Sequence, residues 1–359
     1  MQLLVWPIVA ATLSPVVEQL QALGYENLRL NEASASITVW YENRRRPTQL
    51  EAIAEVLTVI VPLTGNNVLV RLVPCMDDQP LLTLVAASSE IAAAVTRRGP
   101  LKAQVEPPIA PPSPDTPVSP TWNHVDLTIQ PAQRFSQQSY DLLARLELAA
   151  PVRAGLRITG RLQAAFLPRQ NLEPPRGTLR SVGWLAPGVP AVFNVSLVAG
   201  GLQTGGEIGY ELARGLGFLK LRGGLAQNRF SELIIKAESH LPWWDCVLSA
   251  GWGTYALGDW GPFATFSRTY SRSRIDIGAF RTHYGTQFRA TLAIDWGPNP
   301  RSQPATLRLI PGGFYQTSYL ATAYLAAQTL DPPPDIDGFL DRFTPAYLEV
   351  HLDRLPWPK

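Results

Sequence analysis

The sequence predicts a mainly β protein, an antiparallel up-and-down β-barrel of about 12–14 strands preceded by a small α/β domain. Residue parity is the first reason. Between Arg153 and Phe166 the even positions are Ala154, Leu156, Ile158, Gly160, Leu162, Ala164 and Phe166, whereas Arg153, Arg157 and Arg161 stand on odd ones. Successive side chains of a strand point to opposite faces, so such a segment is apolar on one face and basic on the other. The same sorting recurs at Gln287–Trp296, where Phe288, Ala290, Leu292, Ile294 and Trp296 oppose Gln287, Arg289, Thr291, Ala293 and Asp295. Composition is the second reason. Hydrophobic residues reach 46% and charged ones only 17%, yet no apolar run attains the ~18 residues of a transmembrane helix. A membrane barrel leaves that signature, because only alternate residues need be apolar. The third reason is that helix-period patterning is absent from Trp122 onward.

Residues 1–98 read as the α/β domain. Leu3 to Ala11 is apolar, and Val9-Ala10-Ala11 resembles a small-residue cleavage site, but the stretch lacks a basic start and is short for a signal peptide. The preferred reading is a first strand leading into a helix. Ser14 and Pro15 suit the N-cap and first turn of that helix, Val16, Val17, Leu20 and Leu23 give its apolar face, and Gly24 ends it. Alternation over 35–42 predicts a strand. Pro47 opens a second helix through Leu50, Ile53, Ala54, Val56, Leu57 and Ile60, and Val68–Val73 and Leu81–Ala87 read as further strands. Residues 99–121 read as a linker, since eight prolines from Pro100 to Pro120 suit neither a helix nor a central strand.

From residue 122 to 359 strand patterns follow one another: 138–149, 153–166, 177–185, 189–199, 204–212, 216–226, 230–241, 245–256, 261–270, 274–282, 286–296, 305–316, 318–327 and 343–353. Gly and Pro punctuate most gaps, which suits short turns. Segments of ten or more residues match a tilted strand crossing a bilayer. The polar faces carry both signs of charge, which are costly in hydrocarbon but tolerable inside a barrel. On a soluble sandwich the same charges would face solvent. Tryptophan placement tilts the choice. Trp184, Trp243, Trp244, Trp260 and Trp296 lie near strand ends, as the aromatic girdles of membrane barrels do.

Little in the sequence points to other chemistry. A net charge of +2 gives no basis for a nucleic-acid partner, and Arg44-Arg45-Arg46 reads as a solvated loop. His124, His240, His283 and His351 stand singly, and Cys75 and Cys246 have no metal-ligand spacing. No catalytic residue, metal or cofactor is assigned.

The stretch Ala250-Gly251-Trp252-Gly253-Thr254-Tyr255-Ala256-Leu257-Gly258-Asp259-Trp260-Gly261, with Phe266-Ser267-Arg268 and Ile277-Gly278-Ala279-Phe280, resembles the YjbH/GfcD group of exopolysaccharide-associated outer-membrane proteins. Leu23-Gly24-Tyr25-Glu26-Asn27 and Tyr41-Glu42-Asn43-Arg44 resemble the small α/β domain of that group. Members of the group carry two barrel-like halves, and this chain has strands for one. The resemblance implies a periplasmic α/β domain joined to an outer-membrane barrel that assists polysaccharide secretion alongside other secretion proteins. Arg153, Arg157, Arg161, Arg289 and Asp295 are then the lumen candidates. Tyr255, Trp260 and Arg268 are the sugar-contact candidates, with girdling the stronger role for Trp260. The competing readings are a soluble carbohydrate-binding β-domain and, further off, a barrel enzyme acting on lipid or polysaccharide.

Overall fold

The computed structural model describes residues 15–43, 46, 48–65, 67–111, 125–136, 140–153, 156–165, 176–198, 201–226, 231–254, 260–270, 273–282, 285–295, 307–311, 314–320 and 344–358. The chain divides into two compact units. One is Met1–Asn123 with Pro298–Ala305 and Arg342–Lys359, and the other is His124–Gly297 with Thr306–Asp341.

The first unit is a mixed sheet with helices. Its strands are β1 (Glu26–Ala33), β2 (Ser36–Glu42), β3 (Leu69–Met76), β4 (Gln79–Pro80), β5 (Thr83–Ala87) and β6 (Gln104–Glu106). They lie in the order β1-β2-β3-β5-β6 with β4 paired to β3, and β2 and β3 run parallel. The helices are α1 (15–22), α2 (Gln49–Ile60), α3 (Ser88–Arg97) and α4 (Pro345–His351). Thr48 caps α2 by accepting from the Glu51 N–H, one residue past the expected Pro47 start. Leu20 of α1, Ile53, Val56 and Leu57 of α2, and Val39, Leu72 and Leu84 of the sheet are buried together in the core of this unit. The expected strand within 3–11 lies outside the described residues.

Two expectations are corrected here, and one strand is added. Residues 343–353 are not a last strand of the second unit. Thr344 caps a helix by accepting from the Tyr347 N–H, Pro345 occupies its first turn, and the i, i+4 pair Leu348 and Leu352 is buried. Leu352 O accepts from the Leu101 N–H at 3.1 Å, which ties this segment to the first unit. Residues 99–111 are not all spacer, because β6 pairs with β5 and Leu101 is buried. Residues 26–33, too polar to read as a strand, form β1.

β1 is polar because its buried charges are paired. Arg29 forms a two-pronged ion pair with Asp78, and Asn27 Nδ2 donates to Glu42 at 2.5 Å. Asp77 and Asp78, both at positive φ, make the two-residue turn between β3 and β4, and their N–H groups donate to the Glu42 carboxylate at 3.2 and 3.1 Å. Burial opposes the Arg29 charge, but the hydrogen bond and charge of Asp78 outweigh it and raise its pKa. Next to this cluster Tyr25 donates to Glu55 at 2.7 Å, and Arg46 Nε donates to the same carboxylate at 2.8 Å. The hydrogen bond to Glu55 is the main cause of a raised Arg46 pKa. The two Tyr-Glu-Asn triplets, 25–27 and 41–43, thus meet on neighbouring strands, with the Tyr25 and Tyr41 rings edge to face at 5.5 Å.

The second unit is one large sheet, antiparallel throughout β7–β18. Its strands are β7 (Val125–Ser136), β8 (Tyr140–Arg153), β9 (Leu156–Ala165), β10 (Arg176–Ala186), β11 (Val189–Val198), β12 (Gly201–Leu212), β13 (Gly217–Ala226), β14 (Ser231–Leu241), β15 (Cys246–Thr254), β16 (Trp260–Tyr270), β17 (Ser273–Thr282), β18 (Gly285–Asp295), β19 (Leu307–Pro311) and β20 (Phe314–Leu320). Each strand from β7 to β18 pairs antiparallel with its neighbour in sequence. β20 pairs antiparallel with β18. On its other side β7 pairs in parallel with β19 through Val125–Ile129 and with β20 through Ala132–Ser136. Every strand from β7 to β18 therefore has a partner on both sides.

β7 is absent from the sequence-based strand list because Pro131 interrupts its pattern. In register, Pro131 falls between the segment held by β19 and the segment held by β20. Its missing N–H therefore breaks no ladder on that side. The predicted strand 153–166 is also divided: Arg153 ends β8 and Leu156 begins β9. Likewise 305–316 and 318–327 are not a hairpin, since β19 and β20 run the same way along β7.

The two faces of this sheet differ in polarity. Leu148, Ile158, Leu179, Phe193, Ile208, Leu219, Leu221, Ile235, Leu248 and Ile277 lie on one face and are 37–53% exposed. The opposite face holds Ser196, Glu207, Lys220, Arg222, Glu238 and Thr291, all buried. Lys236 of β14 reaches Glu207 of β12 at 3.6 Å across the intervening β13, so the polar face is concave there.

Candidate functional site

The concave polar face carries the charges, and strand register decides which of them meet. In the middle of the sheet both signs are present. Glu207 stands opposite Arg222, and Lys220 stands opposite Lys236. Glu238 joins the two lysines, with an ion pair to Lys220 and one to Lys236 at 2.9 Å, and His240 Nε2 lies 3.5 Å from the same carboxylate. Lys220 also sits 5.3 Å above the Phe218 ring, which stacks at a tilt on His240. Lys220 and Glu207 are no more than 1% exposed, so this cluster holds its charges away from bulk water by pairing them.

On β9 and β10 the pattern differs. Arg157 stands opposite Arg180, Thr159 opposite Thr178, and Arg161 opposite Arg176. All six are half-buried. Glu147 of β8 faces Arg161 and accepts from it at 3.1 Å. Pro151 faces Arg157, and Asn194 faces Arg180. Beside the threonine row, Thr178 and Ser196 share a hydrogen bond of 2.9 Å. The sequence-based candidates include neither Arg176, just outside the predicted strand 177–185, nor Arg180, inside it. The signal was present in Arg176, Thr178 and Arg180 alternating with Gly177, Leu179 and Ser181.

The third part of the face, on β15–β18, mixes hydroxyl, charged and aromatic groups. Ser267 donates to Asp276 at 2.5 Å and Arg274 Nε donates to the same carboxylate at 2.7 Å. Phe263 and Phe280 stack at 6.0 Å, and Arg289 lies 5.8 Å from the Phe280 centroid. Gly278 and Gly251 leave room for these rings, since a Cβ at either would stand 2.8 Å from a ring carbon.

Of the lumen candidates, Arg157, Arg161 and Arg289 lie on the polar face, the first two together and Arg289 on β18. Arg153 and Asp295 are the terminal residues of β8 and β18, paired with Leu156 and Phe314, and their side chains lie outside the described residues. The sugar-contact candidates are not brought to this face. Trp260 and Arg268 share the parity of the exposed apolar residues, at opposite ends of β16. Trp260 is 56% exposed and lies 5.4 Å from Trp252. Arg268 stacks on Tyr270 at 4.6 Å. Tyr255 lies outside the described residues.

Trp252 and Trp260 mark one end of the apolar face, and Tyr210, Trp243, Trp244 and Tyr270 mark the other, each at least 46% exposed. Among the described residues no helix is long and apolar enough to cross a membrane, which says nothing of strands. No group of three or more His, Cys, Asp and Glu converges there on a possible metal position. Cys75 and Cys246 are free thiols. No family model and no curated protein matches the chain.

Proposed function

We propose that the second unit is a β-barrel of the outer membrane, and that the protein assists exopolysaccharide export without catalysing a reaction. The observation that carries the membrane reading is the difference in polarity between the faces of the sheet, with large aliphatic residues exposed on one face and paired charges buried on the other. Exposed apolar patches beyond a few hundred Å² are rare on monomeric soluble proteins and mark surfaces that meet something apolar. A soluble sandwich buries its apolar faces between two sheets. Hydrocarbon is the environment that satisfies a whole sheet face of this kind, and it admits only backbones whose hydrogen bonds are complete.

Pairing on both sides of every strand from β7 to β18 supports closure. Twelve up-and-down strands and a thirteenth position shared by β19 and β20 make an odd number, so the first and last run the same way. The parallel pairing of β7 with β19 and β20 is the seam such a barrel needs. Tryptophans and tyrosines at both ends of the apolar face support two interfaces with lipid headgroups. The export role and the polysaccharide cargo rest on the resemblance carried by residues 250–261 and 23–27. The first unit is then the periplasmic domain that meets other secretion proteins.

The test is fractionation followed by gel mobility. Recovery only with detergent, and a mobility of unboiled protein that changes on boiling, are expected. Recovery without detergent overturns the membrane reading and leaves a soluble carbohydrate-binding domain.

A further inference from the structure

We infer that Arg268 binds the headgroup phosphate of a membrane phospholipid, which deepens the membrane reading of the second unit and rests on it. Strand register assigns each residue of β9–β18 to one face. Among these, the apolar face holds two charged residues, Arg268 of β16 and Arg281 of β17, and no carboxylate. They stand near opposite ends of the sheet, Arg268 two residues from the end of β16 and Arg281 one residue from the end of β17. The middle of the face carries no charge. That distribution suits a surface in lipid, where arginine costs little near the interface and much at the midplane.

Arg268 is held in place on this face. Its guanidinium stacks on the Tyr270 ring at 4.6 Å, and in register it stands between Cys246 and Ile275. Exposed Trp243 and Trp244 lie at the same end. Among the described residues Arg268 makes no ion pair, and its Nε N–H is buried without an acceptor. Asp245, in the turn before Cys246, has interactions of its own, and its backbone oxygen accepts from the Thr269 N–H at 2.9 Å. The Arg268 charge is therefore left for an anion from outside the chain, and a guanidinium fork matches phosphate oxygens in two-pronged geometry. Position selects a lipid phosphate. Two residues from the strand end is about 7 Å along the strand, or about 5 Å below the end of the sheet at a tilt of about 40°. From there a long side chain carries its charge back to the headgroup level. The next row inward, Leu248, Phe266 and Ile277, is apolar and suits the acyl chains of the same molecule. By antiparallel alternation β16 ends where β7 begins, at the end where the chain arrives from the first unit. With that unit in the periplasm, the leaflet at Arg268 is the phospholipid one.

The experiment counts lipid retained by the full-length protein in detergent, by native mass spectrometry, with dioleoyl phosphatidylglycerol and dioleoylglycerol as probes. Arg281→Gln serves as the background, since it leaves Arg268 as the charged residue on the apolar face of β9–β18. That protein is expected to retain phosphatidylglycerol well above dioleoylglycerol. Adding Arg268→Gln is expected to weaken phosphatidylglycerol retention about tenfold. Arg268→Lys, a point charge without the fork, falls between the two. Arg274→Gln removes a positive charge from the polar face instead and leaves retention unchanged. Unboiled gel mobility verifies the fold of each variant, and Arg268→Met replaces the glutamine variant if the latter does not fold. Equal retention of the two probes, or undiminished retention without Arg268, overturns the proposal. Loss of the bound lipid to millimolar inorganic phosphate as readily as to excess phosphatidylglycerol overturns it in favour of a free-phosphate site. Fractionation judges the barrel separately: a detergent-dependent protein whose lipid retention ignores Arg268 loses this site and keeps the membrane reading. Recovery without detergent removes both.

Discussion

Leu221→Arg and Leu212→Arg make a paired test of the environment of the apolar face. Both leucines point to the exposed side, 49% and 46% exposed, yet they differ in position along their strands. Leu212 is the last residue of β12, beside a ring of aromatic residues. Leu221 is four residues beyond Gly217, the first residue of β13, or roughly 13 Å along the strand. A strand tilt of about 40° puts it about 10 Å below the end of the sheet, close to the middle of an apolar band about 25 Å tall. Arginine at the bilayer midplane costs about 2–4 kcal/mol and near an interface about 0–1 kcal/mol. In water, two exposed leucines on a sheet would each tolerate arginine to within about 0.5 kcal/mol. Urea titration of the protein folded into phosphatidylcholine vesicles, read as the fraction keeping its unboiled mobility, measures both changes. Leu221→Arg is expected to be the more destabilising by about 2 kcal/mol or more. Equal and small effects of the two substitutions would refute the depth argument and the membrane reading with it.

Further outcomes follow from the buried charges and thiol. Glu238→Gln removes the carboxylate that holds Lys220 and Lys236, and with Lys220 only 1% exposed it is expected to cost about 3–5 kcal/mol in urea unfolding. Pairing it with Lys220→Met should recover a large part of that loss. In the first unit Asp78→Asn leaves the buried Arg29 without its counter-charge, with a similar expected cost of about 3–5 kcal/mol, read as lost hydrogen-exchange protection in β1 and β3. Burial pushes the Cys75 thiol and the Tyr41 hydroxyl well above their ordinary values of 9.0 and 10.0. Both are held neutral in the folded unit, so their contribution is complete below those values and is lost as pH rises past about 9 and then 10. Protection of β2 and β3 amides should therefore fall between pH 8 and 10.5, and Cys75 should resist iodoacetamide at pH 7.5 until urea is added. Rapid alkylation in native protein would contradict its burial.

The first unit was legible where apolar periodicity carries the signal and illegible where polar residues are buried. Helices α1 and α2 announce themselves through Leu20, Ile53, Val56 and Leu57, because a helix that buries one stripe must space it at three and four residues. β1 does not, since Asn27 and Arg29 look like loop residues until Glu42 and Asp78 are known to meet them. Those partners lie 15 and 49 residues away, beyond any local pattern. α4 carries a Thr344-Pro345 start, a helix signal that the strand patterns before it in the sequence obscure. β7 was hidden by Pro131, whose tolerance depends on where the pairing of β19 ends and that of β20 begins.

The site illustrates a different limit. Parity divides Arg157 and Arg161 from Ile158 and Leu162 in the sequence alone, but parity has no sign: it says that two faces differ, not which one is concave. A single strand cannot supply that sign, because concavity belongs to neighbours, as when Lys236 reaches over β13 to Glu207. Nor can it show that Arg157 meets Arg180, since register is fixed between strands whose connection, residues 166–175, is ten residues long. Had the register slipped by one residue, Leu179 and Ser181 would share the polar face and the arginines of β10 would point to the apolar one. Such a slip would put two guanidinium groups where Leu179 is now 41% exposed, a position that tolerates charge in water and not in hydrocarbon. The bilayer would therefore hold this register more tightly than water, and the same force that selects it aligns Arg157 with Arg180 and Arg161 with Arg176.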